Sequence, residues 1–354
     1  MNMRKILITM PAPKGQGGVV SLFETLVLNK ESYIDYFHFH KKNEKNKLYR
    51  NIDFILNCLR FIKVVRSYDV VHVNPTMDFK CFFRDSYFIL IAKFFNKKTI
   101  VYWHGWHETV ENKIKSNYLL ERIFIRTFGS VDLVVVLGII FEKKLRALGT
   151  KAKIVIESNT ANNNFQSPLK PKELFNKNKI NILFISRIEK EKGIYIAFET
   201  LKYLRKKNEV QLLIVGIGNE LVNAKKYVEI NSFKNVQFLG YLTNQSKHEC
   251  LSNADIMFFP SFNEGMPIVL LEAMLYGLPI VSRNVGGIPD WIINGENGFL
   301  TDSKDPECFA EIIDRILNDE HLYKMISENN IKKYYDYFSP EKVSKRLISY
   351  YDFV

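Results

Sequence analysis

With 354 residues, 47% of them hydrophobic, the chain is long enough for two domains, each able to bury its own core. Fifty Lys and Arg against 38 Asp and Glu give a net charge of +12, a field that favours nucleic acid, an anionic membrane surface or phosphorylated small molecules without separating the three. Four scattered cysteines (Cys58, Cys81, Cys250, Cys308), with no Cys-x-x-Cys spacing, speak against a zinc site and a disulfide framework and point to a reducing cytosol.

Residues 5–10, KILITM, read as a short buried strand, too brief for the core of a signal peptide. A turn with Gly15, Gly17 and Gly18 follows, then a helix. Glycines there let the backbone approach a ligand and aim amides at an anion. The spacing is not Gly-x-Gly-x-x-Gly, because Val20 takes the last position, and Asp35 begins a segment rather than closing a second strand. A dinucleotide site is therefore disfavoured. Residues 41–51, KKNEKNKLYRN, form a basic loop that is either a solvated surface or an acceptor-side contact. A buried strand with a polar exit follows at 69–76. Residues 84–98 make a basic, aromatic, amphipathic helix, expected to pack on a sheet, with membrane docking as the alternative.

The strand in residues 99–108 presents His104-Gly105 at its exit. A lone histidine is usually structural, but at a strand's carboxyl end, before glycine, it is placed to reach a ligand; His107 is the nearby rival. Strands at 133–137 and 152–157 complete a first domain, residues 1–160. Residues 133–141 are the longest apolar run, far below a membrane span. The expectation is a cytoplasmic protein, with peripheral contact on the inner face of the cell membrane left open.

Residues 161–179, rich in Asn, Pro and Lys without apolar periodicity, read as a linker to a second domain, 180–338. Its first strand ends in Arg187-Ile-Glu-Lys-Glu-Lys192-Gly193. A guanidinium and an ammonium just before a helix suit a diphosphate, since charge-assisted bonds are about twice as strong as neutral ones. A solvated charged loop is the plainer reading. Strands are expected within 211–220 and 236–243. In 254–301, a buried strand (Ile256 to Phe259) leads through a polar loop to Pro267 and the helix-forming run IVLLEAMLYG, then to a strand at 278–282 and Gly286-Gly287-Ile288-Pro289. Glu264 lies in the loop. Glu272 lies in the helix among apolar neighbours, so it must reach solvent or be held by hydrogen bonds. Two helices at about 304–337 follow, then a last amphipathic helix, 339–354.

The pair Glu264-x7-Glu272, with Gly265-Met266-Pro267 inside it and Gly-Gly-Ile-Pro downstream, resembles the donor-site signature of the retaining, nucleotide-sugar-dependent glycosyltransferases of group 1 (family 4). The resemblance implies the α/β GT-B fold: two Rossmann-like, doubly wound parallel-sheet domains with a cleft between them and the last helix crossing back to the first. It assigns Glu264 to the donor sugar as a catalytic residue, together with Gly265, Met266 and Pro267, and Glu272 to the ribose. Arg187 and Lys192 fall on the diphosphate pair, and Gly240-Tyr241 on the segment beside the base. Gly17 and Gly18 fall on the turn at the donor phosphate and acceptor side, and His104 on a catalytic position. Asn159 aligns with a family motif whose glycine is missing here, and Asp290 stands where many relatives have Glu.

No Asp-x-Asp motif is present, so no metal and no cofactor beyond the nucleotide-diphosphate sugar is expected. The implied reaction is sugar transfer with retention to a saccharide or lipid-linked saccharide acceptor of surface polysaccharide biosynthesis. An anionic membrane surface remains a candidate partner, and nucleic acid does not. UDP, GDP, ADP and dTDP stay open as nucleotides. A sugar-nucleotide epimerase or hydrolase, or a non-catalytic nucleotide-sugar-binding subunit, are the alternatives.

Overall fold

The computed structural model describes residues 4–11, 18–26, 28–39, 47–162, 170–172, 174, 179–205 and 209–354. They divide into two compact units, Met1–Thr160 with Pro340–Val354, and Ala161–Ser339.

The first unit contains β1 (Ile6–Pro11), β2 (Ile34–Phe39), β3 (Val70–Val73), β4 (Thr76–Met77), β5 (Lys98–Trp103), β6 (Gly105–Trp106), β7 (Leu133–Val136) and β8 (Lys153–Ile156). Six of these form one parallel sheet in the order β2-β1-β3-β5-β7-β8, while the short β4 and β6 pair with each other. Val-Val-His-Val in β3 and Leu-Val-Val-Val in β7 are buried throughout. Strands buried along their whole length are covered by helices on both faces. One such cover is the helix Phe79–Phe94, whose first turn is capped by Asp78 accepting from the Cys81 amide at 2.9 Å. Its Phe88 ring lies 4.5 Å from Phe61 of the helix Lys47–Val65, and Phe61 lies 5.2 Å from Phe37 of β2. The helix expected over 84–98 packs on the sheet, but it spans Phe79–Phe94, and Lys98 already begins β5.

The C-terminal helix Pro340–Phe353 buries Val343, Leu347 and Tyr351 in this unit. Arg346 donates twice to the buried Glu157 carboxylate, at 2.7 and 2.8 Å, and the Tyr350 hydroxyl adds a third bond at 3.1 Å. His72, in the middle of β3, is buried and shares a 2.8 Å hydrogen bond with the Tyr351 hydroxyl.

The second unit contains β9 (Ile180–Ile185), β10 (Val210–Val215), β11 (Val236–Gly240), β12 (Ile256–Phe259), β13 (Ile280–Arg283) and β14 (Gly298–Thr301). All pair in parallel, in the order β11-β10-β9-β12-β13-β14. From β9 the chain winds outward to β11, then returns to the other side of β9 at β12. The carboxyl ends of β9 and β12 therefore flank the topological switch point, where such sheets open a ligand crevice. A core including Phe184, Phe198, Phe258, Phe309 and Tyr323 lies on one side of this sheet. Ala161, read from the sequence as the first linker residue, is buried, and its carbonyl accepts from the Tyr334 hydroxyl at 2.8 Å. Much of the remaining 161–179 stretch lies outside the described residues.

Burial pushes the His72 imidazole down to about 3. In the unfolded chain the same ring takes up a proton below about pH 6.5. Between these values only the unfolded state binds that proton, so stability falls as the pH falls. From pH 7 to pH 5 this group should remove about 2 kcal/mol. Urea denaturation at both pH values should show the loss in the natural chain and a loss smaller by that amount in His72→Gln. Equal losses in the two proteins would mean that His72 is not held neutral.

Candidate active site

At the switch point the chain leaves β9 through Ser186 and Arg187, makes a short turn over Lys190–Lys192, and enters the helix Ile194–Tyr203. Gly193 closes the turn at φ +76°, a left-handed conformation; a Cβ there would stand 2.2 Å from the Pro260 carbonyl oxygen. The loop after β12 is thereby brought against the turn, and the Phe262 amide donates to the Glu191 carbonyl at 2.9 Å. On its other flank the same loop meets the exit of β13. Gly286, at φ +60°, allows an approach in which a Cβ would lie 1.8 Å from the Glu264 carbonyl oxygen. Beside it the Gly287 amide donates to the Gly265 carbonyl at 2.8 Å.

Held from both sides, this loop aims Glu264 at Lys192. The Lys192 ammonium donates to Glu264 Oε1 at 2.6 Å and to the Asn263 carbonyl at 3.3 Å. Both side chains are largely shielded, 13% and 12% exposed. Two residues seventy-two positions apart thus form one charged unit at the carboxyl ends of β9 and β12. Arg187 stands on the same loop as Lys192 but projects outward, paired with Glu189 at 2.8 Å. Met266 is buried. Pro267 has an extended backbone (ψ 125°), and Ile268 is the first helical residue, one later than the sequence implied.

Glu272 lies on the helix Ile268–Leu275. Its position among apolar neighbours demanded solvent or a partner, and the structure supplies Lys247, whose ammonium sits 2.6 Å from Oε1. The other oxygen, Oε2, is buried with no hydrogen-bond partner among the described residues. Gly240 ends β11, an edge strand two places from β9, and Tyr241 follows it. The Gly240 carbonyl is taken by the Gly216 amide at 2.8 Å, and Tyr241 is exposed.

The remaining candidates belong to the first unit. His104 leaves β5 with Nε2 2.8 Å from Asn74 Oδ1, while Asn74 Nδ2 donates to the Thr9 carbonyl at 3.0 Å. With its amide nitrogen so engaged, Asn74 offers His104 an acceptor, so Nε2 carries the proton and Nδ1 the lone pair. Burial, reinforced by His72, pushes the His104 imidazole down to about 3 and keeps it neutral. His107, the rival, is exposed at the start of the helix Glu108–Ser116 with no capping bond from its side chain. Gly18 opens the helix Gly18–Leu26 after β1, and Gly17 lies outside the described residues. The β1 and β3 exits flank this sheet's own switch point, and Asn74 follows β3 directly.

Sequence reasoning missed Lys247 and Asn74. Lys247 is one of fifty cations, on a helix with no pattern that ties it to Glu272, and Asn74 looked like an ordinary polar strand exit. Among the described residues no group of three or more His, Cys, Asp or Glu is placed to hold a metal ion.

Residues 165–333 match the family model of glycosyl transferases group 1. The matched stretch lies within the second unit and takes in Lys192, Glu264 and Glu272. CapM of Staphylococcus aureus, described as a capsular polysaccharide biosynthesis glycosyltransferase, is 29% identical over 183 residues, 51% of this chain and 47% of CapM. The chain spans about half the length of several curated relatives it matches, CapM among them. An uncharacterised 41.2 kDa protein of the Klebsiella pneumoniae cps region is 26% identical over 84% of this chain and 87% of its own. Among solved structures, Anabaena HepE in complex with UDP superposes with a TM-score of 0.76 at 16% identity, covering 99% of this chain and all of HepE. The fold is GT-B.

Gly193→Ala should cost clearly more stability than Gly295→Ala. Gly295 shares the positive φ, but a methyl group there would have nothing within 4 Å, so it reports the conformational cost alone, about 1 kcal/mol. Equal thermal midpoints for the two variants would show that the Gly193–Pro260 approach does not constrain the loop. Lys247→Met, which strands the Glu272 carboxylate, should destabilise by about 1–3 kcal/mol. Much of that loss should return when Glu272→Gln is added, a coupling that a double-mutant cycle in urea measures directly.

Proposed function

We propose that this chain transfers a sugar from a nucleotide-diphosphate donor to a saccharide or lipid-linked saccharide acceptor of surface polysaccharide biosynthesis, with retention at the anomeric carbon. The observation that carries this reading is the shielded Lys192–Glu264 pair at the switch point of a group 1 domain. UDP in HepE and capsular polysaccharide biosynthesis in CapM support the donor and acceptor classes.

In this reading the departing diphosphate develops charge beside Lys192, which is held in place before the donor binds, and Arg187, which turns from Glu189 to donate to it. No metal ion is required for that step. Glu264, close to the anomeric centre, stabilises the positive charge that grows on the sugar as the glycosidic bond breaks. Its own contact with Lys192 keeps the carboxylate oriented before the donor arrives, so little reorganisation is needed at the transition state. Gly265, Met266 and Pro267 shape the sugar pocket, Glu272 binds the ribose hydroxyls, and Gly240-Tyr241 border the base. His104, neutral and oriented by Asn74, keeps Nδ1 free to accept, in the catalytic role that the family resemblance gives it. Gly18, with Gly17, contributes to the phosphate and acceptor side.

UDP-, GDP-, ADP- and dTDP-sugars, added without metal, should include one that raises the thermal midpoint of the natural chain and fails to raise that of Glu272→Ala. Lys192→Ala should retain the fold and lower the turnover of that donor by about 10²–10³. Turnover should persist in a chelator, and the anomeric configuration of the product, read by NMR, should match the donor's. No stabilising nucleotide sugar, or an inverted product, would overturn the reading. Donor breakdown without product extension would point instead to a hydrolase.

A further inference from the structure

The helix Lys47–Val65 has two apolar faces. One is buried and includes Cys58, Phe61 and Val65. The other carries Ile52, Ile55, Leu56 and Leu59 at the i, i+3, i+4, i+7 spacing of a single helical stripe, and all four are exposed. The neighbouring helix Phe79–Phe94 repeats the pattern. Beyond its sheet-facing side it exposes Phe83, Leu90 and Phe94, the last to 77%. The two helices meet at Tyr87, whose ring lies 6.4 Å from Phe54 and whose hydroxyl donates to the Cys58 carbonyl at 3.5 Å. Apolar stripes on two packed helices are far from the scattered single residues that need no explanation.

The charge that the sequence gives these segments is predominantly positive. Lys47, Arg50, Arg60 and Lys63 belong to the first helix against Asp53 alone. On the second helix Asp85 is buried and already paired with Arg84 at 2.7 Å, and Lys93 is engaged by the Arg126 carbonyl at 3.1 Å and the Ser130 hydroxyl at 2.5 Å, which leaves the exposed Lys80 as that helix's cation without an acidic counterpart on it. A second copy of the chain would set this cationic border against its like. An anionic bilayer supplies both an apolar layer for the stripes and negative headgroups for the border. No helix among the described residues is long and apolar enough to cross a membrane, so the contact is with its surface.

We infer that the outer faces of the helices Lys47–Val65 and Phe79–Phe94 form a docking surface for an anionic lipid bilayer. The stripes enter the headgroup–acyl boundary, and the cations hold the first unit to the surface. This assignment stands apart from the donor site and would survive a failure of the sugar-transfer reading.

The full chain is sedimented with phosphatidylcholine vesicles, with and without phosphatidylglycerol. The natural chain should pellet with the anionic vesicles at low salt and remain in solution with phosphatidylcholine alone. Leu56→Glu/Leu59→Glu, changing only exposed side chains, should lower the partition coefficient at least about tenfold at an unchanged thermal midpoint. Lys63→Gln should weaken it about fivefold, and more salt should weaken the natural chain further. A natural chain that stays in the supernatant at low salt would overturn the inference, as would a double variant that pellets equally well. So would self-association, seen by sedimentation velocity, that the double variant loses while neither protein binds vesicles.

Discussion

The loop that carries Glu264 is held by backbone approaches that only glycine permits. At Gly193 and at Gly286 the carbonyl oxygens of Pro260 and Glu264 occupy the space where any other residue would place its Cβ. The exits of β9, β12 and β13 can therefore lie edge to edge, joined by the Phe262–Glu191 and Gly287–Gly265 hydrogen bonds. Without that contact Lys192 and Glu264 would be two solvated charges on separate loops, worth little to each other. With it they become one shielded pair, positioned before any ligand binds. Steric allowance thus becomes electrostatic order, and the proposed chemistry depends on that order.

The first unit reaches its order through buried polar contacts. Asn74 fixes His104 in one tautomer, and burial keeps both His104 and His72 neutral. The C-terminal helix completes the unit by giving Glu157 three hydrogen bonds and His72 a hydroxyl. A carboxylate and an imidazole that would be costly alone in the interior are stable there because a segment nearly two hundred residues away in sequence, or more, supplies their partners.

The same logic applies on the outside. The helix Lys47–Val65 uses one apolar face for the core and leaves the other exposed among the described residues. The aromatic and basic character of 84–98 admitted both sheet packing and membrane docking. The helix Phe79–Phe94 packs on the sheet through the buried Phe82 and Phe88 and leaves Phe83 and Phe94 exposed, so sheet packing does not use up its apolar surface.

Local chemistry made much of this legible in the sequence. Apolar runs bounded by polar turns located the buried strands, and Ile256 to Phe259 has the very bounds its composition implied. Arg187, Lys192 and Glu264 stand at strand exits, and Glu272 in the helix that follows, where a carboxylate among apolar neighbours demands solvent or a partner. Boundaries set by competition were less legible: the helix after Pro267 starts one residue later, and Ala161 is packed rather than exposed in a linker. Tertiary structure alone decided the partnerships. Nothing in the chain's pattern joins Lys247 to Glu272, Asn74 to His104 or Arg346 to Glu157, because each pair meets through the winding of a sheet or the packing of a helix. The sequence by itself determined most of the strands and helices and which residue types stand at the strand exits, since those follow from near neighbours, although it placed residues 47–51 in a loop where the helix Lys47–Val65 has already begun. Which charge meets which carboxylate, and which apolar face stays uncovered, depends on distances that exist only once the chain has folded.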